Sequence, residues 1–220
     1  MRVRLRLAFA RWGRPARLRT DNGAPWGSTG GLPTELELWL AGLGVRLLRN
    51  GPRRPWDNGV VERSQGTGKR WADPRACTSP EGLQVRLDEE DRLQREEYPS
   101  VAGQSRRQAY PGLLHSGRGY AEGWEAFGWD WEAALDCLGG YEVSRKVSRD
   151  GKVSLYDRGH YLGRPYAGQR VGARLDAHSR EWVLRGADGT ELGRRPAAEL
   201  SRDAIVGLRV ARPRAAVSAG

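Results

Sequence analysis

Residues 16–23 read ARLRTDNG, and residues 32–49 read LPTELELWLAGLGVRLLR. The segment ARLRT has the length and composition of a short strand that ends at Thr20, and Asp21, Asn22 and Gly23 then supply turn chemistry. The second segment begins with a helix. Leu36, Leu40 and Leu43 make one apolar stripe, Thr34 is placed to cap its start with Glu37 three positions on, and Gly44 terminates it. VRLLR, residues 45–49, is the next strand candidate. A basic, proline-bearing loop runs from Asn50 to Pro55, and a helix is expected to start near Asp57 and carry Glu62. Strand, helix, strand, helix is the order of an α/β fold, with parallel strands joined by a crossover helix. Ligand groups in such sheets sit beyond the carboxyl ends of the strands, which is where Asp21 falls. Upstream, RVRLRL alternates like a strand while its Leu, Arg and Ala neighbours favour helix. Gly13 and Pro15 make a helix stop, so residues 1–12 read as the last turns of a helix.

Downstream the pattern changes twice. Residues 79–99, SPEGLQVRLDEEDRLQREEYP, form a helix capped by Ser79 with Pro80 in its first turn, and its acids make a solvated face. Residues 99–139 are rich in Gly, Arg and aromatics and read as an extended connector with one short helix. From Tyr141 the period becomes two. YEVSRKVS, GKVSLYD, QRVGARLD, EWVLRG and TELGRR alternate between turn signals such as Asp150-Gly151 and Asp188-Gly189, which makes about five short strands of a small β-barrel. After Ser201 there is little pattern, and disorder is expected beyond residue 212.

The net charge of +10 is carried almost wholly by arginine, since Lys69, Lys146 and Lys152 are the only lysines. Seven of the first twenty residues are Arg and none is acidic. A field of this sign favours a polyanionic partner, although a GC-rich coding sequence also inflates arginine. Cys77 and Cys137 are the only cysteines, and His115, His160 and His178 the only histidines, with no metal-type spacing. That speaks against a structural zinc and fits a reducing cytoplasm. No apolar run is long enough to span a bilayer, and the start MRVRLRLAFARWGR lacks the pattern of a secretory signal.

Taken in order, LAFARWGRP, RTDNG, GVRLLRNGPRRPWDNGVVER and KRW resemble the core of the retroviral-type integrase superfamily, specifically DDE transposases of bacterial insertion sequences. The resemblance spans about residues 5–75, and a strand-rich C-terminal module also fits such proteins. It implies a partial RNase H-like integrase core over residues 1–78, a helical and irregular connector over 79–139, a small SH3-like β-barrel over 140–200, and a tail over 201–220. In that family three carboxylates hold two Mg²⁺ or Mn²⁺ ions, and the second and third correspond to Asp21 and Glu62. Forty residues separate them, somewhat more than in close relatives. Hard cations take carboxylate oxygens, and two ions about 4 Å apart activate the attacking oxygen and stabilise the leaving one. The implied reaction is cleavage of DNA strands at element ends and their transfer to target DNA.

Asn58, four residues before Glu62, would orient the site from one helical turn away. Lys69, seven residues after Glu62, together with Arg53, Arg54, Arg63 and Arg70, would meet DNA phosphates, whereas Trp71 suits the core equally well. Arg145, Lys146, Arg149 and Lys152 flank the first hairpin of the barrel as a phosphate-binding strip. The family's first aspartate has no counterpart before Asp21, and Asp57 would point elsewhere. The chain is therefore expected to be an N-terminally truncated and inactive transposase, or else a non-catalytic DNA-binding remnant that inhibits transposition. The resemblance further implies element-end and target DNA as partners, a homo-oligomer in the intact form, no membrane, and a bacterial cytoplasmic location at the nucleoid. A peptide-binding barrel would instead need an aromatic groove, for which Tyr156, Tyr161 and Tyr166 are the candidates.

Overall fold

The computed structural model describes residues 1–28, 30–51 and 59–211. It is a mixed helix and strand protein, about 40% helix and 20% strand. Two compact units form, and they do not follow chain order. One joins residues 3–15 to 50–121, and the other joins 16–49 to 122–220.

In the first unit, α1 (Arg2–Trp12) is the expected helix, and Gly13, at φ +73°, turns the chain after it. Side chains of His115 and Ser116 crowd that glycine so closely that an added Cβ would stand 2.3 Å from Ser116 Oγ. α3 (Gly59–Ala72) carries Glu62 in its first turn, and the expected start at Asp57 lies outside the described residues. α4 (Pro80–Glu96) begins as the sequence predicts, with Ser79 Oγ accepting from the Gly82 amide at 3.1 Å. α3 meets α4 at Gly68, where a Cβ would come within 3.1 Å of the buried Glu90 carboxylate. Burial, then the neighbouring Asp91, pushes the Glu90 carboxyl above the usual range. The Arg95 guanidinium, partnered by Asp91 at 2.8 Å, lies 4.5 Å over the Trp12 ring and ties α4 to α1.

In the second unit, β1 (Arg17–Thr20) pairs in parallel with β2 (Arg46–Arg49), Arg17 opposite Arg46 and Thr20 opposite Arg49. α2 (Glu35–Gly42) is the crossover between them. Thr34 caps it as expected, accepting from the Glu37 amide at 3.2 Å. The Glu37 side chain does not close a capping box: it is buried, ion-paired to Arg49 at the end of β2, and accepts from the Tyr141 hydroxyl at 2.8 Å. Burial, then the hydrogen bond to Glu37, pushes that hydroxyl up to about 12.

Residues 99–139 depart from the expected connector with one short helix. They form α5 (Arg106–Ala109), a 3-10 turn at Pro111–Leu113, α6 (Glu125–Gly128) and α7 (Trp131–Gly139). α7 belongs to the core of the second unit, burying Ala134, Leu135 and Leu138 beside α2. Trp129 seals this packing: its indole donates to the Trp39 carbonyl at 3.0 Å and its ring covers Gly42, where a Cβ would lie 2.1 Å from Cε2.

Beyond Tyr141, six strands form rather than five. β3 (Glu142–Lys146), β6 (Arg170–Asp176), β7 (Glu181–Arg185) and β8 (Glu191–Pro196) make an antiparallel sheet in the order β3-β6-β7-β8. β4 (Lys152–Leu155) and β5 (Arg158–Tyr161) make a separate hairpin. β5 is the strand missed in the sequence, since RGHY has no β-branched residue to mark it. The predicted alternation holds where one face is covered: Val171, Ala173 and Leu175 of β6 and Val153 and Leu155 of β4 are buried. Both turn signals fall between strands, with Gly151 at φ +74° and Gly189 at φ +82°. The segment after Ser201 is not patternless. It folds as α8 (Arg202–Gly207), with Ser201 Oγ accepting from the Ala204 amide at 3.1 Å. The tail expected to be disordered beyond residue 212 lies outside the described residues. Among the described residues, no helix is long and apolar enough to cross a membrane.

The hairpin is locked to the sheet by a buried polar trio. Trp182 Nε1 donates to Glu199 Oε1 at 2.8 Å, and His160 Nε2 lies 3.1 Å from the same oxygen. Burial alone would raise the Glu199 carboxyl, but hydrogen bonds from His160, its own backbone and Trp182 outweigh it and hold the pKa below the usual carboxylate range. With its folded value below its unfolded one, Glu199 contributes stability that is present at neutral pH and is lost as pH falls through the acid range below about 4. Glu199→Gln is therefore expected to cost about 1–2 kcal/mol at pH 7 and to flatten the decline of the melting midpoint between pH 5 and pH 3. Thermal melts across that range check both.

Candidate nucleic-acid interface

Asp21 follows directly on the buried Thr20, at the carboxyl end of β1, and its side chain is exposed. Its Oδ1 accepts from the Gly23 amide at 3.2 Å, an Asx turn that bends the chain away from the strand. The loop then coils back: the Trp26 and Gly27 amides both donate to the Gly23 carbonyl, at 2.9 and 3.0 Å. Gly27 passes so near Asn22 that a Cβ would stand 2.1 Å from its carbonyl oxygen, so only glycine closes this loop. Arg49 fixes the loop to β2 by donating to the Trp26 carbonyl at 3.2 Å while its guanidinium pairs with Glu37. Arg49 has a supporting role that the sequence reading missed, because only the parallel register puts the end of β2 beside the loop after β1.

Glu62 is exposed in the first turn of α3 and belongs to the first unit, whereas Asp21 belongs to the second. Arg63, Lys69 and Arg70 are exposed along the same helix, and Arg70 reaches Thr67 Oγ1 at 3.4 Å. Asn58, Arg53 and Arg54 lie outside the described residues. Among the described residues no group of three or more His, Cys, Asp or Glu side chains is arranged to hold a metal ion. Asp21 and Glu62 are carboxylates of the type a hard cation takes, two where the resemblance calls for three.

The basic strip flanking the first hairpin has a definite shape. Lys146 ends β3, Lys152 begins β4, and Arg149 stands in the connection, all exposed. Lys146, Arg149, Ser148 and Gly168 line a shallow cleft of about 470 Å³. Register adds a fourth cation: Arg170 of β6 is the cross-strand partner of Lys146 and steadies itself on Ser144 Oγ at 3.2 Å. Sequence reasoning missed Arg170, since nothing local to it signals pairing with residue 146. Among the described residues none of these four cations has a carboxylate partner, in contrast with Arg194, which is held by Asp176 at 2.8 Å and Glu191 at 2.9 Å. Arg145 differs from its neighbours. Its guanidinium donates to the carbonyls of Gly30 and Ser144, and burial lowers its pKa, so it ties β3 to the loop before α2.

Of the three tyrosines weighed for a peptide groove, Tyr156 is taken up internally. Its hydroxyl donates to the Pro33 carbonyl at 2.9 Å and its ring lies 6.3 Å from that of Trp182. Tyr161 is exposed and Tyr166 half-buried. No family model matches the chain.

Proposed function

We propose that this chain binds DNA and carries part of the catalytic core of an integrase-type DDE transposase. In this reading residues 1–78 correspond to a partial RNase H-like core, with Asp21 and Glu62 as two of its metal-binding carboxylates. The strands beyond residue 140 correspond to an SH3-like barrel that grips duplex DNA. One observation carries most weight for the core. Asp21 stands at the carboxyl end of a strand paired in parallel with its neighbour across a crossover helix, the position from which α/β sheets present ligand-binding groups. The strip of Lys146, Arg149, Lys152 and Arg170 supports the DNA partner, because cations without internal carboxylates are free to replace condensed counterions on a phosphate backbone. Mg²⁺ or Mn²⁺, held by Asp21, Glu62 and a third acid, would supply phosphoryl-transfer chemistry.

Duplex DNA binding by the whole chain, followed by fluorescence anisotropy from about 50 to 200 mM salt, is expected to weaken steeply. Replacing Lys146, Arg149 and Lys152 together with Gln should flatten the plot of log affinity against log salt by roughly 2–3, about 0.9 for each lost phosphate contact. An affinity indifferent to salt, or a slope unchanged in the triple variant, sinks the role of the strip. For the carboxylates, Mn²⁺ is expected to broaden amide resonances around both Asp21 and Glu62, and Asp21→Asn to relieve both. Broadening at one site that survives loss of the other acid would refute a shared metal site.

A further inference from the structure

The first unit contains a second feature that the resemblance does not assign. α3, the end of α4 and the segment through α5 enclose a cleft of about 880 Å³. Trp71, Tyr98 and Tyr110 line it together with Arg63, Arg70 and Arg106. Trp71, Tyr98 and Tyr110 are 43%, 50% and 56% exposed, and they are the exposed aromatic rings among the described residues of this unit. Leaving three large rings in water is costly for a small unit, and convergence of all three on one concavity marks a binding surface rather than scattered exposure.

The local structure holds these rings in place. Trp71 meets Tyr98 edge to face at 5.5 Å and 81°, which fixes both ring planes at one end of the cleft. α5 is pinned by a capping box, Ser105 Oγ accepting from the Gln108 amide at 3.3 Å and Gln108 Oε1 accepting from the Ser105 amide at 2.9 Å. It carries Arg106, whose guanidinium donates to the buried Gln94 at 3.2 Å, and Tyr110 follows at its end. No carboxylate lines the cleft, and among the described residues Arg63 and Arg70 are in no ion pair, while Arg106 also interacts electrostatically with Glu90.

From this geometry we infer that the cleft is a binding site for single-stranded nucleic acid, in which unpaired bases stack on Trp71, Tyr98 and Tyr110 while the arginines meet the phosphates. Cations alone would suit any polyanion, and aromatic rings alone would suit a proline-rich peptide. Exposed π faces and guanidinium groups together match a strand whose bases are free to stack, whereas a duplex keeps its base faces covered. The inference rests on the DNA reading above and narrows it: the strip on the second unit holds duplex, and this cleft holds unpaired nucleotides.

The test uses the whole chain, a twelve-nucleotide oligo(dT) carrying one central 2-aminopurine, and the corresponding duplex. Stacking is expected to quench the 2-aminopurine on binding of the single strand. Tyr110→Ala removes the most exposed ring and is the cleanest variant. It should weaken single-strand binding roughly ten-fold, with duplex affinity changed less than about two-fold. Trp71→Phe, which keeps an aromatic face, should retain most of the affinity that Trp71→Ala loses. Equal losses for single strand and duplex, absence of quenching, or displacement of nothing but a proline-rich peptide from the cleft would each overturn the proposal. Failure of the strip would show independently, as absence of salt-steep duplex binding in the unaltered chain.

Discussion

Trp129→Ala should lower the stability of the unit built from residues 16–49 and 122–220 by about 3–5 kcal/mol, the range for truncating a buried tryptophan. The ring is 4% exposed, it fills the space over Gly42 that no side chain occupies, and its indole satisfies the Trp39 carbonyl. Alanine would leave a cavity and remove one of the two hydrogen bonds that the Trp39 carbonyl accepts, the Leu43 amide keeping the other. In a thermal melt this corresponds to a drop of roughly 10 °C for a unit of this size. Gly42→Ala probes the same contact from the other side. An added methyl has nowhere to go without displacing the indole, and a loss of about 1–3 kcal/mol is expected. If Trp129→Ala shifted the midpoint by less than the equivalent of about 1 kcal/mol, the ring would not be the element that closes this core.

Glu37→Ala is the second large effect. The buried carboxylate joins Arg49 of β2 to the hydroxyl of Tyr141 just before β3, so its removal strands a guanidinium and a phenol at once. Losing one partner of a fully buried pair costs about 3–5 kcal/mol. Arg49 is partly exposed, so water recovers some of that, and about 2–3 kcal/mol is expected from denaturant unfolding. Glu37→Gln, which still accepts from Tyr141, should cost roughly half as much. The ionisation of Tyr141, followed by its ultraviolet absorbance, should move down from about 12 towards the ordinary tyrosine range in Glu37→Ala, because the anion opposing the phenolate is gone. Unchanged titration would disconnect the two side chains.

Local signals account for the parts of the fold that were legible. Thr34 and Ser79 announced α2 and α4 because a cap is decided by a few adjacent residues, and Asp-Gly pairs announced two turns for the same reason. α7 was missed although its signals are local: Trp131, Ala134, Leu135 and Leu138 recur at i, i+3, i+4 and i+7, and Asp130 caps the start, but the segment is short and sits in a stretch rich in Gly and Arg that reads as connector. Its Ala, Leu and Glu residues favour helix, and burial against α2 adds to that preference. β5 was hidden because its state depends on its partner, and α8 because six residues make less than two turns. The same division applies to function. Asp21 was legible from its place after a strand. Arg170 and Arg49 were not, because register brings them to their neighbours, and Tyr110 gave no sign of joining Trp71 and Tyr98 in one cleft.

The interleaving of the two units has a consequence for how the chain matures. The β1–α2–β2 segment leaves the ribosome early, yet the indole that covers Gly42 and the phenol that meets Glu37 are encoded some eighty to a hundred residues later. Until translation reaches them, a newly made α2 holds its apolar face and a charged carboxylate without their final cover, and the long excursion through residues 50–121 must be closed before the two meet. Synthesis should therefore pass through an interval in which nascent chains stopped near residue 120 are chaperone-dependent and protease-sensitive, and cuts made by chain order will not yield soluble halves.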